Sequence, residues 1–341
     1  MKATALSQYQ KGKPAPGGLN VRLAILCLTG AILLLSVNCR QEQRQVDLYL
    51  DAIMLREFDE NEMAIEKLNE AIKLDKDFLP AYSLLGEIYQ DTNDYEKSAA
   101  AYEKATQLST WSFKDYFNLG RVYKSMKKFD QAARAYSRAC EINSGHPGAH
   151  INAARCYYEI RDYDRALTYG QRATEIDSNA VEVQVLLADI YQAQKDYDGV
   201  IDSLERAMEI DSNNPRIMTS LAITYLKTER YEPAKKLLTL VTQIQPDNGT
   251  AYQHLSYCYL KLDDADGAVE AYSRAIEIND KDWQAHRGLG AAYMLKAAND
   301  KDHILKLKAI EQWKMSLAIK PDQPNYETLL RLIEKYSKQN R

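Results

Sequence analysis

The feature that most constrains this chain is a period. From Gln45 the sequence repeats every 34 residues without a gap through residue 282. The place held by Tyr89 is tyrosine again at Tyr123, Tyr157, Tyr191, Tyr225, Tyr259 and Tyr293, with Leu55 in the first unit. A unit that short cannot bury an apolar face alone, so neighbouring units must stack on one another. The frame divides the chain into 45–78, 79–112, 113–146, 147–180, 181–214, 215–248, 249–282 and 283–323, the last with seven extra residues around 297–308. Place 8 of each unit is small: Ala52, Gly86, Gly120, Ala154, Ala188, Ala222, Ser256 and Gly290. Place 27 is almost always alanine, and place 7 is leucine in six units, with Asp51 and Ala153 the exceptions.

Between these places apolar residues recur at three- and four-residue spacing, the signature of an amphipathic helix. Each unit breaks midway at an aromatic–acid pair such as Asp94-Tyr95, Phe129-Asp130 or Asp196-Tyr197, so two helices per unit follow, and the acid can cap the second. Proline is an independent check, because within a helix it costs about 3 kcal/mol yet is tolerated in the first turn. Pro80, Pro147 and Pro215 open units and Pro233 opens a second helix, so none falls in a proposed helix interior.

In the unit 113–146, Tyr116, Leu119, Gly120, Tyr123, Ala132, Tyr136 and Ala139 occupy the places of the motif W-x2-L-G-x2-Y…A-x3-F, with Ser144 where proline is common. On these residues the chain resembles the tetratricopeptide repeat family over residues 45–323. The resemblance implies an all-α, right-handed superhelical solenoid of about eight helix-turn-helix repeats. The apolar spacing of Tyr326, Leu329, Leu330, Leu332, Ile333 and Tyr336 predicts a C-terminal capping helix in 324–341.

Ahead of the repeats, Lys2, Lys11, Lys13 and Arg22 precede an uncharged apolar run over residues 23–37, which ends at Cys39. That run is shorter than the ~20 residues a spanning helix needs and suits the apolar core of an export signal. Residues 1–38 are therefore expected to be a signal peptide of lipoprotein type, Cys39 its lipidated residue and 39–44 a short tether. The sequence 35–39 (LSVNC) resembles a bacterial lipobox, although Ser36 and Asn38 depart from its usual residues. The expected location is the bacterial cell envelope, tethered on the periplasmic side, with the outer membrane one candidate. An uncleaved anchor facing the cytoplasm is the alternative. Removal of the segment leaves 40 basic residues against 48 acidic ones, a balance that argues against a nucleic-acid partner.

Beyond Cys39 only Cys140, Cys156 and Cys258 remain, without C-x-x-C spacing, so they are read as buried small side chains rather than a disulfide framework or zinc site. His146 and His150 are four apart, but Pro147 and Gly148 lie between them and deny the helical geometry a metal would need. No phosphate loop, G-x-S-x-G or H-E-x-x-H occurs, so neither catalysis, a metal nor a cofactor is expected.

What remains is binding. The family resemblance implies a concave groove lined by first helices, in which a protein or peptide partner lies. Projected onto this sequence, Lys114, Phe117, Arg121, Lys124, Arg155 and Tyr158 form a basic and aromatic candidate patch suited to carboxylates and an apolar anchor. Arg216, Lys227, Tyr257 and Lys261 form a second, while Glu57, Glu87 and Asp91 make the N-terminal end acidic. No unit carries the Lys–Asn pair of the family's chaperone-tail binders. The function expected is a noncatalytic scaffold or adaptor, resembling bacterial lipoproteins of this repeat class; a regulatory or targeting subunit of an enzyme complex is the alternative.

Overall fold

The computed structural model describes residues 40–338; the apolar run and Cys39 lie outside them. Within that range the chain is helical hairpins joined by short turns, with no strand among the described residues. It divides into two compact units that meet in sequence at Ile142 and Asn143.

The first unit contains three hairpins: α1 (40–57) with α2 (Asn61–Leu74), α3 (Leu79–Asp91) with α4 (Tyr95–Leu108), and α5 (Phe113–Ser125) with α6 (Phe129–Ile142). Residues 40–44, expected as a tether, are instead the first turn of α1, where the Gln41 side chain donates to the carbonyl of Leu74 at 2.7 Å. Ala52, Ala64, Leu68, Ala81, Leu84, Leu85 and Ile88 make one core across α1, α2 and α3.

The second unit continues with α7 (Pro147–Glu159), α8 (Tyr163–Ile176), α9 (Val181–Gln194), α10 (Tyr197–Ile210), α11 (Pro215–Lys227) and α12 (Tyr231–Ile244). It ends with α13 (Gly249–Lys261), α14 (Ala265–Ile278), α15 (Trp283–Asp300), α16 (His303–Ile319) and α17 (Tyr326–Lys338). One of its core clusters includes Val200, Leu204, Met218, Leu221, Leu238 and Leu255. The capping helix α17 inserts Leu329 and Ile333 against Ile310 and Trp313.

The turn within each hairpin is the same device. Asp59, Asn93, Lys127, Arg161, Lys195, Glu229 and Asp263 all have a left-handed backbone, with φ between 58° and 63°, and they lie 34 residues apart. The next amide donates back to the carbonyl of the place-11 residue, as from Asp94 to Tyr89 at 2.8 Å and from Asp196 to Tyr191 at 2.9 Å, which closes a Schellman cap. The place-11 tyrosine then covers the start of the second helix: a Cβ added to Gly199 or Gly267 would lie 2.7 Å from Tyr191 or Tyr259. Asp94, Asp162, Asp196 and Asp264 accept an amide hydrogen bond in the first turn of their helices. α12 is instead preceded at its N-cap by Arg230, whose side chain makes no such bond.

Small residues at place 8 accompany large ones at place 24 of the same repeat except in the fourth, where Ala154 and Gly170 are both small and Leu187 of the next repeat stands 2.8 Å from where a Cβ on Gly170 would lie. A Cβ on Gly86 would lie 2.7 Å from the ring of Tyr102, and one on Gly120 would lie 2.9 Å from that of Tyr136. Gly290 lies so close to Trp313 that an added Cβ would meet the indole at 2.4 Å, and the indole N–H donates to the carbonyl of Arg287 at 3.2 Å.

The seven extra residues lengthen both arms of the last hairpin. α15 has 18 residues where α13 has 13, because it gains four and also takes in the residue directly before the left-handed turn, and α16 has 17 where α14 has 14. The left-handed residue moves to Lys301, four places beyond the 34-residue step. Four residues on one arm and three on the other are each close to a 3.6-residue turn, so both helices keep their buried faces in register.

Candidate functional site

Place 9 of one repeat and place 2 of the next form a recurring contact between first helices. Lys114 on α5 pairs with Glu87 on α3 at 2.5 Å. In the second unit Arg155 on α7 pairs with Glu182 on α9, and Asp189 on α9 is near enough to Arg216 on α11 to feel its charge. Burial pushes the Asp189 carboxyl up, and the positive charges of Arg216 and Arg155 only partly oppose this.

This ladder uses part of the expected basic patch. Lys114 and Arg155 both contact acids of neighbouring repeats, while Arg121 hydrogen-bonds Asn118 at 3.3 Å and has no ion-pair partner among the described residues. Phe117 stacks on Phe113 at 5.6 Å and meets Tyr136 edge-on at 5.5 Å. Lys124 is half-buried. These four residues belong to the first unit; Arg155 and Tyr158, which rests beside Tyr163 at 5.9 Å, belong to the second. Within the second unit, Lys261 lies over both Tyr257 and Tyr231, whereas Lys227 lies over Tyr197.

A cavity of about 550 Å³ lies in the first unit, between α1, α3 and α5. Tyr49, Ile53, Pro80 and Leu84 give it an apolar wall; Arg56, Glu57, Ser83, Glu87, Lys114 and Asp115 supply polar groups. Arg56 donates to Glu87 at 2.5 Å and to Asp91 at 2.8 Å. Burial pushes the Glu87 carboxyl up, but the hydrogen bonds and charges of Lys114 and Arg56 outweigh it and hold the group below the ordinary carboxylate range.

Asp115 and Ser83 are the residues that inspection of the sequence missed. Place 3 of the repeat is buried and apolar at Ala81, Ala149, Val183, Ile217, Ala251 and Ala285, yet in the third repeat it is Asp115, which is only 2% exposed. One of its oxygens, Oδ2, accepts from the Ser112 hydroxyl at 2.6 Å, while Oδ1 and the hydroxyl oxygen of Ser83 are buried without a hydrogen-bond partner among the described residues. The signal was present as a break in the place-3 pattern. It is visible only once that place is known to be core.

His146 and His286 make hydrogen bonds within the fold. His146 caps α7 by accepting from the Ala149 amide at 3.1 Å, and His286 bonds Gln312 and the carbonyl of Asp280 at 2.7 and 3.0 Å. Cys140, Cys156 and Cys258 are buried free thiols. No group of three or more potential metal ligands occurs among the described residues, and no helix among them is long and apolar enough to cross a membrane.

Residues 191–257 and 249–282 match tetratricopeptide repeat models, and residues 91–173 match a model described as anaphase-promoting complex, cyclosome, subunit 3. No curated protein matches the chain. Among solved structures it is similar to YrrB, described as a TPR protein with an unusual peptide-binding site: 21% identity over 60% of this chain and 99% of that one, TM-score 0.51. It is also similar to the C-terminal part of a TPR repeat-containing protein from Cytophaga hutchinsonii, with 17% identity over 72% and 98% and a TM-score of 0.59. A third likeness is to Naa15/Naa10 bound to HypK-THB, with 16% identity, a TM-score of 0.56 and coverage of 84% of this chain and 44% of that one. At these identities the solved structures speak for the fold, and the repeat models agree with it. The chain is a tetratricopeptide-repeat protein, one of the noncatalytic helical scaffolds of protein–protein interaction.

Proposed function

We propose that this scaffold is an envelope lipoprotein, tethered to the membrane through Cys39, that holds an extended segment of a partner protein along its first helices. The observation that carries the binding half is the cavity between α1, α3 and α5, where three successive first helices leave about 550 Å³ unfilled and direct both apolar and charged side chains toward it. It is a groove open to solvent, lined by side chains of three successive first helices, and so is accessible to a segment from outside the molecule. Exposed Arg121, without an ion-pair partner among the described residues, extends the polar surface beyond the cavity along α5. The tether rests on the uncharged run over residues 23–37 and the cysteine that follows it.

A photo-crosslinking amino acid at Arg121 tests the groove against one at Glu70, which is exposed on a second helix. In native membranes a partner should be captured from Arg121 alone; equal capture from both places, or none, would sink the groove. Incorporation of labelled palmitate should disappear in Cys39→Ala, and label that persists there removes the lipid tether.

A further inference from the structure

The last repeat is capped and the first is not. α17 lays Leu329 and Ile333 over Ile310 and Trp313, whereas no helix precedes α1 among the described residues. The first helix of a later repeat packs on the second helix of the repeat before it, as α3 does on α2 and α5 on α4, and Ile88 accordingly shares a core with Ala64 and Leu68. Place 10 is sealed in this way: Ile88, Val122, Ile190, Cys258 and Ala292 are fully buried. Met54 holds that place in the first repeat and is 59% exposed. It belongs to a row at four-residue spacing, from Val46 through Leu50 and Met54 to Phe58, directly after α1, where exposure runs from 42% at Val46 to 73% at Phe58. Side chains four apart share one face of a helix, so α1 turns a continuous apolar stripe outward. Single exposed apolar side chains are ordinary on a protein surface, but a contiguous row marks a place where something docks.

We propose that this stripe is a self-association surface, on which α1 pairs antiparallel with α1 of a second copy across a two-fold axis near Leu50. That register sets Val46 of each copy against Met54 of the other. Charge selects both the partner and the direction. Exposed Arg40 and Arg44, with Glu42 between them, leave the start of α1 positive on balance. Exposed Glu57, Asp59, Glu60 and Glu62 make the far end acidic, and Arg56 does not offset them because it is engaged by Glu87 and Asp91. Antiparallel copies bring each basic start to the other's acidic end, whereas parallel copies would set like charges together. A two-fold axis uses the same patch on both chains, so one stripe is enough to complete the interface. A lipid surface fits less well. Helices that lie in a membrane interface carry basic side chains beside their apolar face, and here exposed Asp47 and Asp51 directly follow Val46 and Leu50.

Sedimentation equilibrium of the full-length chain in density-matched detergent micelles should show a dimer. Leu50→Glu sets two carboxylates at the axis and should weaken the association about tenfold or more. Its helical content by circular dichroism should not change, because Leu50 is exposed. A monomer at every concentration, or association unchanged in Leu50→Glu, would overturn the proposal. Arg40→Glu/Arg44→Glu should also weaken the dimer, and adding Glu57→Arg/Glu60→Arg to the same chain should restore it; without that recovery the antiparallel pairing is rejected. In native membranes a photo-crosslinking amino acid at Phe58 should capture the first turn of α1 from a second copy. Capture of lipid, of another protein or of residues 23–37 of the same chain gives the stripe a different occupant and excludes self-pairing, as does no capture at all.

Discussion

At the scale of single residues, most repeats are held by size matching across the hairpin, the fourth, with Ala154 and Gly170, being the exception. Glycine at place 8 meets tyrosine at place 24, as in Gly86 with Tyr102 and Gly120 with Tyr136, whereas alanine at place 8 accompanies leucine in Ala52/Leu68, Ala188/Leu204 and Ala222/Leu238. Two effects compete at Gly120. Alanine gains about 1 kcal/mol of helix propensity, but its Cβ would lie 2.9 Å from the Tyr136 ring, and overpacking of that kind costs about 1–3 kcal/mol. Gly120→Ala should therefore be more favourable in a Tyr136→Leu background than in the wild type, by about 1 kcal/mol or more. A double-mutant cycle measured by urea unfolding gives that coupling, and additivity would reject size matching. The small residue at place 8 was legible in the sequence. Its dependence on place 24 was not, because which side chain fills a space is a property of the pair.

Helical elements obey two periodic rules, one of which carries strain. Left-handed backbone costs an ordinary L-residue about 1–2 kcal/mol, yet the hairpin turns place aspartate, asparagine, lysine, arginine and glutamate there and never glycine among the described residues. Lys195, with φ of 62°, is exposed, and its side chain makes no hydrogen bond or ion pair among the described residues. Lys195→Gly should raise stability by about 1 kcal/mol, seen as a higher denaturant midpoint with an unchanged m-value; a lower midpoint would show that the lysine is held for another reason. The prolines and the aromatic–acid breaks revealed where helices start, but the left-handed turn leaves no residue-type signature when glycine is absent. The extended α15/α16 hairpin shows the same limit. The sequence contained seven additional residues, and only the backbone shows them shared as four and three so that both faces stay in register.

On the scale of the whole molecule, the two compact units can be followed through their thiols. Cys140 lies in the first and Cys258 in the second; burial pushes each thiol up to about 12, mainly by denying the thiolate its solvation. A free thiol titrates near 8.5, so the thiolate at pH 8 should be scarcer by about a thousandfold or more. In folded protein both residues should resist iodoacetamide and react when their unit opens, so mass spectrometry of partly denatured samples should report each unit separately. Rapid labelling of either in the native state would contradict the burial. The charge ladder between first helices belongs to this scale too. It explains why six residues chosen from the sequence as one surface have different fates: Lys114 and Arg155 are engaged by acids of adjacent repeats, while Arg121 is left exposed.

The sequence alone determined the 34-residue period, two helices per repeat, their small and aromatic positions and the buried state of the cysteines, because each follows from the periodicity of apolar burial along a helix. Only the tertiary structure decided which charges are spent between repeats and which are free, and that Asp115 is a buried carboxylate beside a cavity rather than one more acid in a helix's first turn. Pairing and solvent access depend on side chains brought together from different repeats, and a one-dimensional pattern records the places of those residues without recording what stands opposite them.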